Sequence, residues 1–491
     1  MKKFDNIVIV GRNIMKDKKI FILKTFQLLV IIILYYIAGL EKMFLYTLSF
    51  SLYNILSVSF KNISFREKLN KCSDDGYKFK IFKMTLLSIA VISTIFILLS
   101  IIISDVIGFL LGFNNIWLIF FFMGFSVMVY PLVKVVAEYL GNINKNSKFE
   151  RIIDFYYILD CVLFLVIAFL VFRVFKVDIR LQVAFLYLSK IISGLVSIFL
   201  MYLVSKKRNN NYGNYDKIDY YKEFRDIFFA NVYKSIIDII KNSYYYISII
   251  VLYAVLSSRF GYAYDQVCGI ITFIYFYGLA IINYLIYVVK NINDGVLNKI
   301  TVSSKIYSNF KVMISLMIIF SVMSPLTCKL LFNNSSYSIY LSMLNMMAIF
   351  MLLYQITYES IKNKKVIYIS LIVGIIAKGI LIFPLINAFY RMGYNLVYGD
   401  ILSSIIGMVL SFVINYIYIR NTNGNTEKYF EKILDILYDN IILGIILILL
   451  QFVIPINTDN YFKALGLFMV YILCIFGVVK IVFINLKRKK K

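Results

Sequence analysis

Asn231–Leu256 reads NVYKSIIDIIKNSYYYISIIVLYAVL. The stretch is mostly apolar and longer than the roughly 20 residues that a helix needs to cross a bilayer. It nonetheless carries Asn231, Lys234, Asp238, Lys241 and Tyr245, at steps of three and four. On a helix those positions share one face, and Ile236, Ile237, Ile239 and Ile240 cover the other. A charge at the centre of a lipid-facing helix costs roughly 2.5–3.5 kcal/mol or more, so such a stripe belongs against a water-filled cavity or a partner helix. The pattern predicts a helix that opens the second half of a two-lobed transporter and lines its central cavity. An amphipathic helix lying at the membrane surface over 230–242, with the true span starting near Ser243, fits the same residues.

The rest of the chain has the composition that this reading requires. Of 491 residues, 61% are hydrophobic and 16% charged, and the mean hydropathy is +0.81. Repeated apolar runs of about 20 residues mean a polytopic, all-α integral membrane protein. The net charge of +26 is spread over short basic segments between those runs, which points to cytoplasmic loops and to no nucleic-acid partner. The C-terminal Lys-Arg-Lys-Lys-Lys run suits anionic membrane lipid. The chain has no histidine, which removes His-dependent metal sites, catalytic triads and imidazole relays. Its five cysteines are scattered without metal-ligand spacing. The start, MKKFDNIVIVGRNIMKDKK, reads as a cytoplasmic tail over 1–19 and not as a signal peptide.

Fourteen apolar segments can be drawn, at about 20–39, 43–60, 84–104, 116–139, 154–175, 181–204, 228–257, 268–289, 312–332, 338–361, 366–388, 395–419, 437–455 and 464–486. If they alternate in direction, 37 of the 52 Lys and Arg fall on the side of the two termini, which predicts both ends in the cytoplasm. Arg173, Lys176 and Arg180 depart from the pattern, with Asp178 as their expected partner. The polar connection at 205–227 separates two sets of six spans, 20–204 and 228–419. A weak repeat supports the division: EYLGN at Glu138–Asn142 ends the fourth span and ESIKN at Glu359–Asn363 ends the tenth. Equal direction of the two halves implies a pseudo-twofold along the membrane normal. The last two spans, within 420–486, have no counterpart and form an appendage before the basic tail at 487–491.

Few ionisable residues lie inside spans. Lys134 and Glu138 are four apart on the fourth and can pair, or reach the cytoplasmic interface. Asp160 in the fifth and Lys190 in the sixth can form one buried pair across their hairpin, or face a cavity separately. Lys378 has no acid in its own span and needs a partner or water from elsewhere. Asp105 and Asp400 stand near span ends, where solvation is expected. Lys234, Lys241, Lys378 and Lys190, with Lys134 behind them, would make a cavity that attracts an anion such as a diphosphate. Asp238, and in the first half Asp160 and Glu138, would balance that charge or serve as a proton or Na+ site for coupling. Tyr244 and Tyr245 are placed to stack on sugar rings. No cofactor is called for. No phosphate-cradling loop, carboxylate dyad or nucleophile motif is present, which argues against an enzyme.

Several stretches carry a resemblance. EYLGNINKNSKFERIIDFYYILD (Glu138–Asp160), QITYESIKNKKVIYISLIVGIIAKGILIFPLI (Gln355–Ile386), GYNLVYGDILSSIIGMVLSFVINYIYI (Gly393–Ile419) and AGLEKMFLYTLSFSLYNIL (Ala38–Leu56) are similar to the polysaccharide-exporter branch of the multidrug/oligosaccharidyl-lipid/polysaccharide (MOP) exporter superfamily. That branch includes Wzx-type flippases and their relatives SpoVB and MurJ. The first-helix arginines of the lipid II flippase have no match here, Lys24 being the only basic residue in that span, and this favours a Wzx-like protein. The resemblance implies two six-helix lobes around a V-shaped cavity, plus two C-terminal helices, in the bacterial cytoplasmic membrane. It implies a lipid-linked oligosaccharide as substrate, with a polymerase and assembly proteins as partners. A cation-coupled drug antiporter and a membrane oligosaccharide polymerase are the alternatives.

Overall fold

The computed structural model describes residues 2–61, 65, 69–70, 75–144, 148–175, 177–205, 220–296, 302–361, 363–423, 429–456 and 460–489. Side chains within 2–19, 226–238, 291–296, 302–308 and 476–489, among others, lie outside that description. All fourteen apolar segments fall on helices, and the described residues contain no strand.

The chain divides into two compact units, Met1–Tyr275 and Phe276–Lys491. The first holds α1 (Lys2–Ala38), α2 (Phe44–Lys61), α3 (Asp75–Leu111), α4 (Trp117–Asn144), α5 (Lys148–Phe169), α6 (Ile179–Leu186), α7 (Leu188–Ser205), α8 (Tyr220–Ala254) and α9 (Tyr264–Thr272). The second holds α10 (Leu279–Val296), α11 (Val302–Val322), α12 (Ser324–Phe332), α13 (Ser338–Ser360), α14 (Lys364–Arg391), α15 (Val397–Asn423), α16 (Tyr429–Val453) and α17 (Tyr461–Lys489). Among the described residues nine helical stretches are long and apolar enough to cross a membrane. The pair Asn309–Val322 and Ser324–Phe332, bent by 70°, makes a tenth. Pro325 accounts for the bend, since it stands at the start of α12 and has no N–H to continue the ladder of α11. The protein is a multi-pass membrane protein. Its outward faces agree: Phe109 is 88% exposed and Phe452 80%, which suits lipid and not water.

In the first unit α8 runs along α2 and α3, while α5 packs on α7 and α1. The helix that the sequence sets at the head of the second half thus packs inside the first unit. Val133, Ala137, Phe149, Tyr156 and Met201 form a buried cluster that joins α4, α5 and α7. The second unit is centred on the α14–α15 hairpin, with α13 against α15 and α11 against α13 and α16. Small residues set its tightest approach. Ser411 donates to the Ser370 carbonyl at 2.7 Å, and Gly374 leaves room for the Gly407 backbone. Met323, Leu326, Ala464 and Tyr471 tie α12 to α17, and the Tyr471 hydroxyl donates to the Ile454 carbonyl at 2.8 Å.

One end of α1 explains a charge that the sequence left open. Gly39 closes the helix in the left-handed region at φ +76°, its N–H bonding to the Tyr35 carbonyl. Arg173 donates to the Tyr36 carbonyl at 2.6 Å, so it caps this terminus and does not pair with Asp178. Asp178 instead accepts from the Arg180 N–H at the start of α6, with the Arg180 guanidinium 3.7 Å away. Replacing Arg173 by Met is expected to speed amide hydrogen exchange in the last turn of α1 by roughly threefold to fivefold. An unchanged rate would remove the capping role.

Candidate functional site

In the first unit Asp160 lies among buried polar and aromatic groups. Ser189, Ser193 and Ser197 recur every fourth residue on α7 and are fully buried, which gives that helix a narrow face against its neighbours. On that part of α7, Ser189 and Lys190 both reach the carboxylate. The Ser189 hydroxyl donates to Asp160 Oδ1 at 2.8 Å, and the Lys190 ammonium lies 2.8 Å from Oδ2. The same ammonium sits over the Tyr53 ring, 5.3 Å from its centre. Tyr187 stacks obliquely on Tyr46 and shares a 2.8 Å hydrogen bond with Ser49. Of the two arrangements open from the sequence, the paired one is present. An aromatic wall from α2 completes it.

The second unit places Lys378 of α14 beside Asp400 of α15, Nζ to Oδ1 3.8 Å, with side chains 4% and 0% exposed. Lys378 thus finds the partner that its own span lacks. The expected solvation of Asp400 is corrected, because the first turn of α15 is packed under α14 and not open to water. Asp105 is exposed, as its position near a helix end suggests. Nearby, Asn395 accepts from the Val397 N–H and donates to the Tyr340 hydroxyl at 2.8 Å, which aligns the starts of α13 and α15. Asn345 on α13 and Asn415 on α15 are buried, and neither amide has a hydrogen-bond partner among the described residues. A lone Asn in an apolar run was the available signal for both.

The other expected residues are placed as follows. Lys134 and Glu138 are half-buried on α4. Tyr244 is buried and Tyr245 half-buried on α8, their rings edge to face at 5.7 Å. Asn231, Lys234, Asp238 and Lys241 lie on the α8 backbone, but their side chains are outside the described residues. Lys190 and Lys134 belong to the first unit and Lys378 to the second.

No protein-family model matches the chain, and no curated protein does. Solved structures do match. The lipid II flippase MurJ in an inward closed conformation is 15% identical over 96% of this chain and 99% of its own, with a TM-score of 0.64. An inward-facing multidrug resistance MATE transporter of the MOP superfamily is 11% identical over 82% of this chain and 96% of its own, with a TM-score of 0.56. This chain has the MOP-superfamily fold. A MOP-superfamily transporter from Pyrococcus furiosus, described by the reversed polarity of its binding pocket, matches at a TM-score of 0.53 and 12% identity, over 82% of this chain and 93% of its own. Within that fold this chain places both buried ion pairs in helix hairpins.

Proposed function

We propose that the protein is a flippase for a polyprenyl-diphosphate-linked oligosaccharide, moving a repeat unit of a surface polysaccharide across the bacterial cytoplasmic membrane by alternating access. The observation that carries this reading is coverage. The MurJ likeness extends over 96% of the chain, whereas the MATE and Pyrococcus furiosus transporter likenesses cited stop at 82%. A diphosphate bearing sugars cannot cross hydrocarbon unaided, because an unpaired charge there costs many kcal/mol. In this reading Lys234 and Lys241 of α8 meet the diphosphate, with Lys134 contributing positive potential, while Tyr244 and Tyr245 contact sugar; Lys190 and Lys378 are neutralised by Asp160 and Asp400. Asp238 balances charge at rest. The termini face the cytoplasm, and polymerase and assembly proteins act on the delivered lipid.

The test is a leaflet assay in proteoliposomes containing short-sugar polyprenyl-diphosphate lipids. Wild type should move the lipid, and Lys234→Ala/Lys241→Ala should move it slower by on the order of tenfold or more, the worth of a lost charge-assisted contact. A folded wild-type protein that moves none of a panel of such lipids, but exchanges a drug for a cation, would overturn the reading in favour of the antiporter.

A further inference from the structure

Two hairpins, one in each unit, bury a carboxylate between apolar helices. In the first, Asp160 comes from α5 and Lys190 from α7; in the second, Lys378 comes from α14 and Asp400 from α15. The two stand at the same place in the sequence repeat, since α5 follows EYLGN and α14 follows ESIKN. Asp160 comes 18 residues after Asn142 and Lys378 comes 15 after Asn363, a difference of one helical turn. Between the halves the polarity is exchanged, acid first in one hairpin and base first in the other. An internal ion pair at this place therefore exists in both halves although its residues do not align.

A carboxylate packed among apolar helices must be neutralised, either by an exchangeable cation or by a charge that the chain itself carries. At Asp160 both oxygens are engaged, Oδ1 by the Ser189 hydroxyl and Oδ2 by the Lys190 ammonium. At Asp400 the side chain is fully buried and the ammonium of a nearly buried Lys378 lies 3.8 Å away. A second cation at Asp160 would meet a like charge within a few ångströms.

We propose that Lys190 is a permanent internal cation of the first hairpin. It holds the place beside Asp160 that a coupling ion would need, so Na+ does not bind there. The consequence for coupling rests on the transporter reading above; the binding statement does not. Charge at the first hairpin then stays constant through the cycle, and any coupling ion acts elsewhere in the chain.

The experiment uses the purified full-length protein and Na+ itself as probe, in alkaline buffer, with NaCl exchanged for choline chloride at constant ionic strength. The unfolding midpoint of Lys190→Met should rise by roughly 1–2 °C in Na+, as expected for a cation at about ten times its dissociation constant. Lys190→Met/Asp160→Asn should lose that response. Binding of radioactive Na+ by wild type should equal that of Asp160→Asn. Wild-type binding that Asp160→Asn removes would overturn the proposal, as would a folded Lys190→Met variant indifferent to Na+. If that variant does not fold, the wild-type comparison decides alone. No lipid substrate enters the assay, so its failure and failure of the flippase reading are separate results.

Discussion

Lys378→Met is expected to destabilise the protein by about 3–5 kcal/mol, the cost of leaving a buried charge without its partner. The side chains of Lys378 and Asp400 are 4% and 0% exposed, so solvent cannot take over when the ammonium is removed. For a chain of this length the unfolding midpoint should fall by roughly 3–5 °C. Removing both charges tells a different story. Lys378→Met/Asp400→Leu leaves an apolar contact between α14 and α15 and should recover most of the loss, because desolvating two ions offsets much of their attraction. A purely superficial pair would contribute about 0–1 kcal/mol, and the single and double variants would then be indistinguishable. The informative measurement is the midpoint of the two single variants beside the double. A single variant within 1 °C of wild type would remove Lys378–Asp400 as a structural element of the second unit.

Gly399→Val should be the most damaging substitution at a position that carries no charge. A Cβ built on Gly399 falls within 2.7 Å of the Leu385 carbonyl carbon and closer still to the backbone of Ile386. Those atoms are main chain of α14 and cannot rotate away, so the first turn of α15 has to move. Overpacking of this kind costs typically about 1–3 kcal/mol, occasionally more. Here the displaced turn also carries Asp400, so the ion pair is strained at the same time. Gly379, one residue after Lys378, is the natural control, since a Cβ there meets nothing within 4 Å. Gly379→Ala should leave the midpoint unchanged or raise it slightly, because alanine favours a helix interior over glycine by about 1 kcal/mol. Yields of folded protein and unfolding midpoints for both variants test the pair. Equal behaviour of Gly399→Val and Gly379→Ala would show that α14 and α15 are not locked at that approach.

Both predictions concern a hairpin whose importance is only half legible in the primary structure. Lys378 announces itself as a charge in VIYISLIVGIIAKGILIFPLI, because any lysine there must be answered by something. Asp400 does not. It stands three residues into α15, where a helix start can be open to water or packed beneath a neighbour, and chain position is the same in either case. The same limit applies to Arg173, whose nearest acid in sequence is Asp178 but whose acceptor is a carbonyl 137 residues away at the end of α1.

The class of the molecule and the number of its apolar segments are readable from the residues alone. Both follow from local quantities, the length and hydropathy of each run, and each of the fourteen runs lies on a helix. The sequence also limits the buried charges to a handful, because every one stands out against an apolar background. Which of them meet is a matter of helix packing. It set Asp160 between Ser189 and Lys190, brought Tyr53 over the ammonium, buried Asp400 against Lys378, and packed α8 with the first unit. Apolar helices in lipid have no strong sequence code for their neighbours, since the tails outside are as apolar as the side chains inside. Small residues and a few polar contacts choose the pairing, and their partners are known only when the helices are in place.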